Sequence, residues 1–158
     1  MNADEIWHSL YDKGINKGTA GFNDKQIDLY YFIDFIYQVE MNGNVGFVYN
    51  QSPTSRDENF YTPYIRTWKR FKMDELADKA DLYNNQYLKA IELYNSSSKT
   101  GFQKYEDQFG LREIAESMYS LIDKIYLDQD DVWDWIQQNA KELECNIELP
   151  TWWKDVHK

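Results

Sequence analysis

Apolar positions recur along most of the chain at the spacing of an amphipathic helix. The clearest run alternates intervals of three and four residues: Met73, Leu76, Ala80, Tyr83, Tyr87, Ala90 and Tyr94. Residues 111–125 repeat the pattern, and such a spacing turns one helical face toward a core. No pair of long alternating segments is joined by a hairpin turn. We therefore predict an all-α protein: a single compact domain over residues 1–158 with five to six helices.

Residues 27–41 are apolar on almost every side, with few polar interruptions. Asn23 and Gln26 stand at the two positions of a capping box, and Phe22 and Ile27 at those of a hydrophobic staple. A helix this apolar is covered by others on most sides. We expect it to be the central, aromatic-rich helix of the domain.

Local signals also predict where the other helices begin and end. A first helix should start near Ala3 and break in residues 13–21, another should cover residues 57–71 with an internal start at Thr62 and Pro63, and Asp74 should cap the next. The last helix should begin with Asp128 as N-cap and Asp131 at N3. Leu127 and Val132 should form its staple, and residues 147–150 should be extended before Pro150.

Charge restricts the kinds of partner. The formal net charge is −10, and residues 106–148 hold twelve carboxylates against three basic side chains. This surplus disfavours direct binding to nucleic acid or to an anionic membrane, because both require cations to neutralise phosphates. It favours a basic protein as partner, although an acidic surface that only maintains solubility stays an alternative. A basic cluster, Arg66, Lys69, Arg70 and Lys72, interrupts the pattern.

The residues of catalytic and metal chemistry are scarce. The only histidines are His8 and His157, and the single cysteine, Cys145, is expected to be a small buried apolar residue. Counted from Asp128, a calcium loop would need Gly at its sixth position and Glu at its twelfth, where Trp133 and Asn139 stand. We predict no catalytic residue, no metal and no cofactor. The single cysteine and the absence of a signal-peptide pattern indicate a cytoplasmic protein.

The stretch that follows the central helix resembles the signature of a bacterial domain of unknown function that includes a DNA-mimic protein, the DMP-type family. Residues 29–52, LYYFIDFIYQVEMNGNVGFVYNQS, carry the likeness through a structural turn: Glu40, Asn42, Gly43, Phe47, Tyr49, Asn50 and Ser52. Asn44 stands where the family has a second glycine, and the interval to Asn50 is about one residue short. From its position, we expect the Glu40 carboxylate to accept hydrogen bonds from the backbone of residues 43–46.

The resemblance implies an α-helical fold and, for at least one member, an acidic dimer that occupies the DNA-binding surface of a basic protein such as a transcription factor. From the charge pattern, we expect the partner-binding residues to be Glu113, Glu116, Asp123, Asp128, Asp130, Asp131 and Asp134. An immunity-type or generic interaction protein without DNA mimicry stays open, as does an enzyme that uses the turn between Glu40 and Asn50. Trp152 and Trp153 cannot both face one way, so one is a candidate contact in a homodimer.

Overall fold

The computed structural model describes residues 1–49, 60–97 and 101–157. Within these ranges all regular structure is helical, which confirms the all-α prediction. The helices are α1 (Ala3–Lys17), α2 (Asp24–Val48), α3 (Thr62–Arg70), α4 (Asp74–Asn95), α5 (Phe102–Gln108), α6 (Leu111–Leu127), α7 (Asp130–Gln138), α8 (Ala140–Leu143) and α9 (Thr151–Val156). None of these helices combines the length and the apolar character that crossing a bilayer would require.

The chain groups into two compact units. Unit 1 consists of Met1–Asp34 and Gln129–Lys158, and unit 2 is Phe35–Asp128. Helix α2 contributes its first part to unit 1 and its second part to unit 2. The expectation of a single domain stays a prediction.

In unit 1, α1 packs against α7 and α8 around an aromatic centre. The Trp7 ring stacks on Trp133 with centroids 4.8 Å apart and meets Phe32 edge-on at 6.2 Å. Offset stacks and edge contacts are the arrangements that aromatic quadrupoles favour. The predicted capping box of α2 is present, since the Asn23 and Gln26 side chains each accept the other's backbone N–H at 3.0 Å.

The C-terminal helix α9 of unit 1 lies against α1. Trp153 is buried between His8 and His157, whose ring centroids are 4.9 and 4.0 Å from its own. Trp152 is 45% exposed and donates its indole N–H to Asp12 at 3.1 Å. The prediction that the two tryptophans face different ways is confirmed.

In unit 2, α4 packs against α3, α5 and α6. The inner face of α4 is the predicted one, with Leu76, Ala80 and Tyr83 buried. The fully buried Trp68 of α3 lies 5.3 Å from the ring of Phe35 and 6.1 Å from that of Phe47. These rings form an aromatic core that also includes Tyr61 and Tyr64.

The described part of the helix predicted over residues 57–71 starts at Thr62, as the Pro63 signal indicated; residues 57–59 lie outside the described residues. Helix α4 begins at Asp74, which is its first helical residue and not its cap. Helix α1 extends through Gly14 to Lys17, beyond the expected break. Gly14 fits within the helix at a tertiary contact, because its missing side chain makes room for the Tyr30 ring of α2.

The predicted start of the last helix is wrong. Gln129 is the N-cap residue of α7, Asp128 has extended backbone angles, and Leu127 is 83% exposed and forms no staple. Helix α7 ends at Gln138, where the Asn139 side chain donates to the Trp135 carbonyl at 2.8 Å, and α8 follows as a separate helix. Residues 147–150 have no regular structure, as expected, but α9 was not predicted.

Candidate acidic interaction surface

Three of the expected partner-binding carboxylates lie on the outward face of α6. Glu113, Glu116 and Asp123 are exposed, while Leu111, Ala115 and Met118 on the opposite face are buried. In residues 1–49, 60–97 and 101–157, none of these three carboxylates forms an ion pair with a basic side chain. Their charge is therefore available to a partner.

Other acids of residues 106–148 form ion pairs inside the chain. Asp107 pairs with Arg112 at 3.3 Å, and Glu142 pairs with Lys25 at 2.7 Å. Glu144 pairs with the N-terminal amino group at 2.5 Å. A count of charges along this segment consequently overstates the acidity that the surface presents.

The outward face of α4 carries carboxylates that sequence reasoning missed. They are exposed and form no ion pair within the described part of the chain: Asp74, Glu75, Asp78, Asp81 and Glu92. Asp74, Asp78 and Asp81 are spaced four and three residues apart, which places them on one side of a helix. That spacing could have identified this acidic side of α4 from the sequence. It was overlooked because the basic residues of α3 offset these acids when charge is summed over the first part of the chain.

Helices α4 and α6 pack directly against each other in unit 2. Packed helices have axes about 8–10 Å apart, so the outward carboxylates of α4 and α6 are carried by neighbouring helices. We use the term α4–α6 acidic face for the outward sides of these two helices with their eight carboxylates: Asp74, Glu75, Asp78, Asp81, Glu92, Glu113, Glu116 and Asp123. The exposed basic side chains on these outward faces are Lys89, Arg112 and Lys124, and Arg112 pairs with Asp107. Carboxylates therefore predominate.

Three of the four residues of the basic cluster lie on a different helix of the same unit, α3, and Lys72 lies in the turn between α3 and α4. Lys69 and Arg70 occupy the last turn of α3, where positive charge interacts favourably with the helix dipole. Arg66 and Arg70 already interact with other groups of the chain. Both α3 and α6 pack on α4, and α6 carries the outward acids while α3 carries Arg66, Lys69 and Arg70.

The remaining expected partner-binding residues are also exposed: Asp128, Asp130, Asp131 and Asp134. Asp128 belongs to unit 2, and the other three belong to unit 1. Asp128 and Asp130 each interact with another group of the chain. Asp130 and Asp131 lie in the first turn of α7, where the helix dipole favours negative charge, so their position has a structural explanation.

At the signature turn the expectation for Glu40 is wrong. Glu40 is exposed and still helical, and no hydrogen bond from residues 43–46 to its carboxylate exists among the described residues. Asn44 organises the turn instead, because its side chain accepts the Val45 N–H at 2.6 Å and donates to the Tyr119 carbonyl at 3.3 Å. Gly43 has φ 73° and ψ 172°, a backbone conformation that glycine adopts readily because it has no Cβ.

Two aromatic residues of the signature anchor this turn in unit 2. Phe47 is fully buried, with its ring 5.1 Å from Phe35. Tyr49 is hydrogen-bonded to the Tyr119 hydroxyl, and burial together with that bond raises the pKa of Tyr119. Asn42 is exposed, and Asn50 and Ser52 lie outside the described residues. The turn has a packing role, and it exposes Glu40 and Asn42 to solvent.

Potential metal ligands are not clustered in the part of the chain that the structure describes. There, no cluster of three or more His, Cys, Asp or Glu side chains is arranged to hold a metal ion. Cys145 is exposed, so the expectation that it is buried is wrong. Its neighbour Asn146 has φ 58° and donates to the Cys145 sulfur at 3.4 Å, which turns the thiol outward.

Comparison with known proteins adds no relative. No protein-family model, no curated protein and no solved structure matches the chain. The functional argument accordingly rests on the surface of the molecule.

Proposed function

We propose that this protein is an acidic interaction domain whose α4–α6 acidic face binds a basic protein. The observation that carries the proposal is the set of outward carboxylates on two packed helices, none of which is neutralised by a basic side chain in the described residues. Because these groups are exposed, a partner can meet them without a large desolvation cost. Complementary charge would steer the encounter and select the partner.

The DNA-binding surface of a protein such as a transcription factor is the kind of partner that fits. Such surfaces present Lys and Arg side chains at the spacing of phosphates, which repeat about every 3.4 Å along each strand. Glu116 and Asp123 are seven residues apart on α6, about 10.5 Å along the axis, close to three such steps. The resemblance of residues 29–52 to the DMP-type family implies the same function for at least one member of that family, although these signature residues lie outside the α4–α6 acidic face.

Capture from a native lysate of the producing cells tests the proposal. The immobilised protein should retain a basic protein that elutes in a salt gradient and is identified by mass spectrometry. Duplex DNA added before elution should release it, because both ligands would occupy one surface. Retention that persists at high salt, or a captured protein that DNA does not displace, would contradict a charge-driven DNA mimic.

A matched pair of variants separates this face from acidity in general. Glu116→Gln and Glu148→Gln each remove one exposed carboxylate, the first from α6 and the second from unit 1. We expect only Glu116→Gln to weaken retention of the captured protein. Equal weakening by both variants would show that net charge, rather than the α4–α6 acidic face, holds the partner.

A further inference from the structure

Leucine side chains lie among the carboxylates on the outward face of α4. Leu82 is 46% exposed, Leu88 36% and Leu93 38%. A nucleic acid backbone offers no counterpart to such groups, so the α4–α6 acidic face differs from a simple array of phosphates. Since these residues share the outward side of α4 with carboxylates, the face is chemically mixed.

Their positions follow from the helical repeat. At 3.6 residues per turn, Leu82 and Leu93 lie on one edge of the exposed face of α4, about 16 Å apart, and Leu88 lies on the opposite edge. Asp81 and Glu92 lie between the two edges, one toward each end of the leucine segment, and Lys89 lies between them along the helix. The outward face of α4 therefore has carboxylates at the two ends of a segment with apolar borders.

Long basic side chains match this arrangement. Lys and Arg lay their aliphatic stems along apolar surface and carry their charge at the tip. On α4 the stems would cover the leucines while the tips reach the carboxylates. A short cation would reach the same charges without covering the leucines.

Building on the proposed function, we infer that α4 binds a helix of the partner protein that is rich in Lys and Arg, through the stems as well as the charges of those side chains. Charge complementarity selects a cationic helix, and the bordering leucines select long side chains. The partner segment is then a helix that lies along α4.

Two synthetic peptides test this inference by fluorescence anisotropy at low salt. One is an alanine-based helix with lysines along one face. The other has each lysine replaced by 2,4-diaminobutyrate, which keeps the charge and shortens the stem. The proteins compared are the wild type and Leu82→Gln/Leu88→Gln/Leu93→Gln, since Gln is polar but a good helix former. Comparing both peptides on both proteins cancels any difference in peptide helicity.

We expect the wild type to prefer the lysine peptide, and the triple variant to reduce that preference about threefold or more. An equal preference on both proteins would overturn the inference and leave the proposed function standing. Failure of both peptides to bind the wild type would overturn the inference and the proposed function. If the wild type is a dimer and the triple variant is a monomer, the leucines form a contact between two copies of the chain. This result would also overturn the inference.

Circular dichroism checks that the variants fold. If the triple variant is unfolded, the single variant Leu82→Gln takes its place. Ile15→Gln/Val156→Gln is the matched control. It removes two residues of unit 1 that are 57% and 73% exposed and lie on α1 and α9. This control should leave the preference between the two peptides unchanged.

Discussion

The Gln26 side chain joins the start of α2 to the end of α8 in unit 1. Its amide nitrogen donates to the Leu143 carbonyl at 2.9 Å and to the Cys145 carbonyl at 2.7 Å, while its oxygen accepts the Asn23 N–H. Gln26 is 1% exposed. One side chain thus completes a capping box and donates hydrogen bonds to two carbonyl groups at the end of the short helix α8.

Replacing this amide with a carboxylate should separate the two roles. Gln26→Glu keeps the acceptor for Asn23 but puts a carboxylate oxygen against two carbonyls in a buried site. We expect a loss of about 2–4 kcal/mol in the free energy of unfolding at neutral pH, measured by chemical denaturation. Gln137→Glu on the exposed side of α7 should change it by no more than about 0.5 kcal/mol.

The pH dependence of Gln26→Glu has a definite sign. Burial raises the folded-state pKa of the introduced carboxyl group, so the variant is most stable below the unfolded pKa and loses stability as pH rises through the folded one. The difference from wild type should shrink as pH falls from neutral toward about 4. A constant difference would show that the group is not held against the two carbonyls.

Replacing Gly14 with alanine should destabilise the protein, although alanine is normally favoured over glycine within a helix. A Cβ built there lies 2.1 Å from Cε2 of Tyr30, so the ring would have to move. In an open helix the same change stabilises by roughly 0.5–1 kcal/mol. We expect Gly14→Ala to lower the melting temperature and Gly21→Ala, where no atom lies within 4 Å, to leave it nearly unchanged. A stabilised Gly14→Ala would contradict the close packing of Tyr30.

The phenol of Tyr30 should titrate late. Burial, assisted by the negative charge of Asp34, raises its pKa to about 12. Because this folded-state pKa is above the unfolded value of about 10, the contribution of neutral Tyr30 is present below pH 10 and is lost between pH 10 and about 12. Ultraviolet titration should show a late tyrosine that Tyr30→Phe removes. If Tyr30→Phe instead removed part of the absorbance change at about pH 10, the Tyr30 phenol would ionise like an exposed tyrosine, which would contradict its burial.

Gly43 and Gly101 should respond differently to asparagine. Gly101, with φ 69° and ψ 50°, is in the left-handed helical region that Asn tolerates. Gly43, with φ 73° and ψ 172°, is in a region that is essentially restricted to glycine. We expect Gly43→Asn to cost about 1–3 kcal/mol by chemical denaturation and Gly101→Asn much less. Similar costs would mean that the α2 turn adapts to a side chain.

Periodicity was sufficient to predict the helical class and the inner faces of α4 and α6. The capping box at Asn23 and Gln26 was also correct, because its residues act within one turn of the chain. The additional bonds of Gln26 to Leu143 and Cys145 join residues 117 and 119 positions apart, and no local pattern reports them. The failed staple at Leu127 has a different cause, because α7 begins at Asp130 with Gln129 as its N-cap and the residues of the predicted staple are therefore out of position.

The candidate surface was only partly predictable. The acids of α6 were found because the segment around them has few bases. Those of α4 were missed because charge was summed along the chain, whereas a helix distributes it by face. Glu40 was expected to be bonded because its helix is apolar, yet the outward side of a helix end remains exposed whatever the mean composition.

The salt dependence of partner affinity tests the central claim most directly. For the protein that the wild type captures, Kd should rise steeply as ionic strength increases through the physiological range. In the variant Glu113→Gln/Glu116→Gln/Asp123→Asn, the Kd at low salt should be higher by about tenfold or more, and it should depend less on salt concentration. The helical circular dichroism of this variant should be unchanged. A triple variant that binds with the wild-type Kd and the wild-type salt dependence would contradict the assignment of the α4–α6 acidic face as the binding surface.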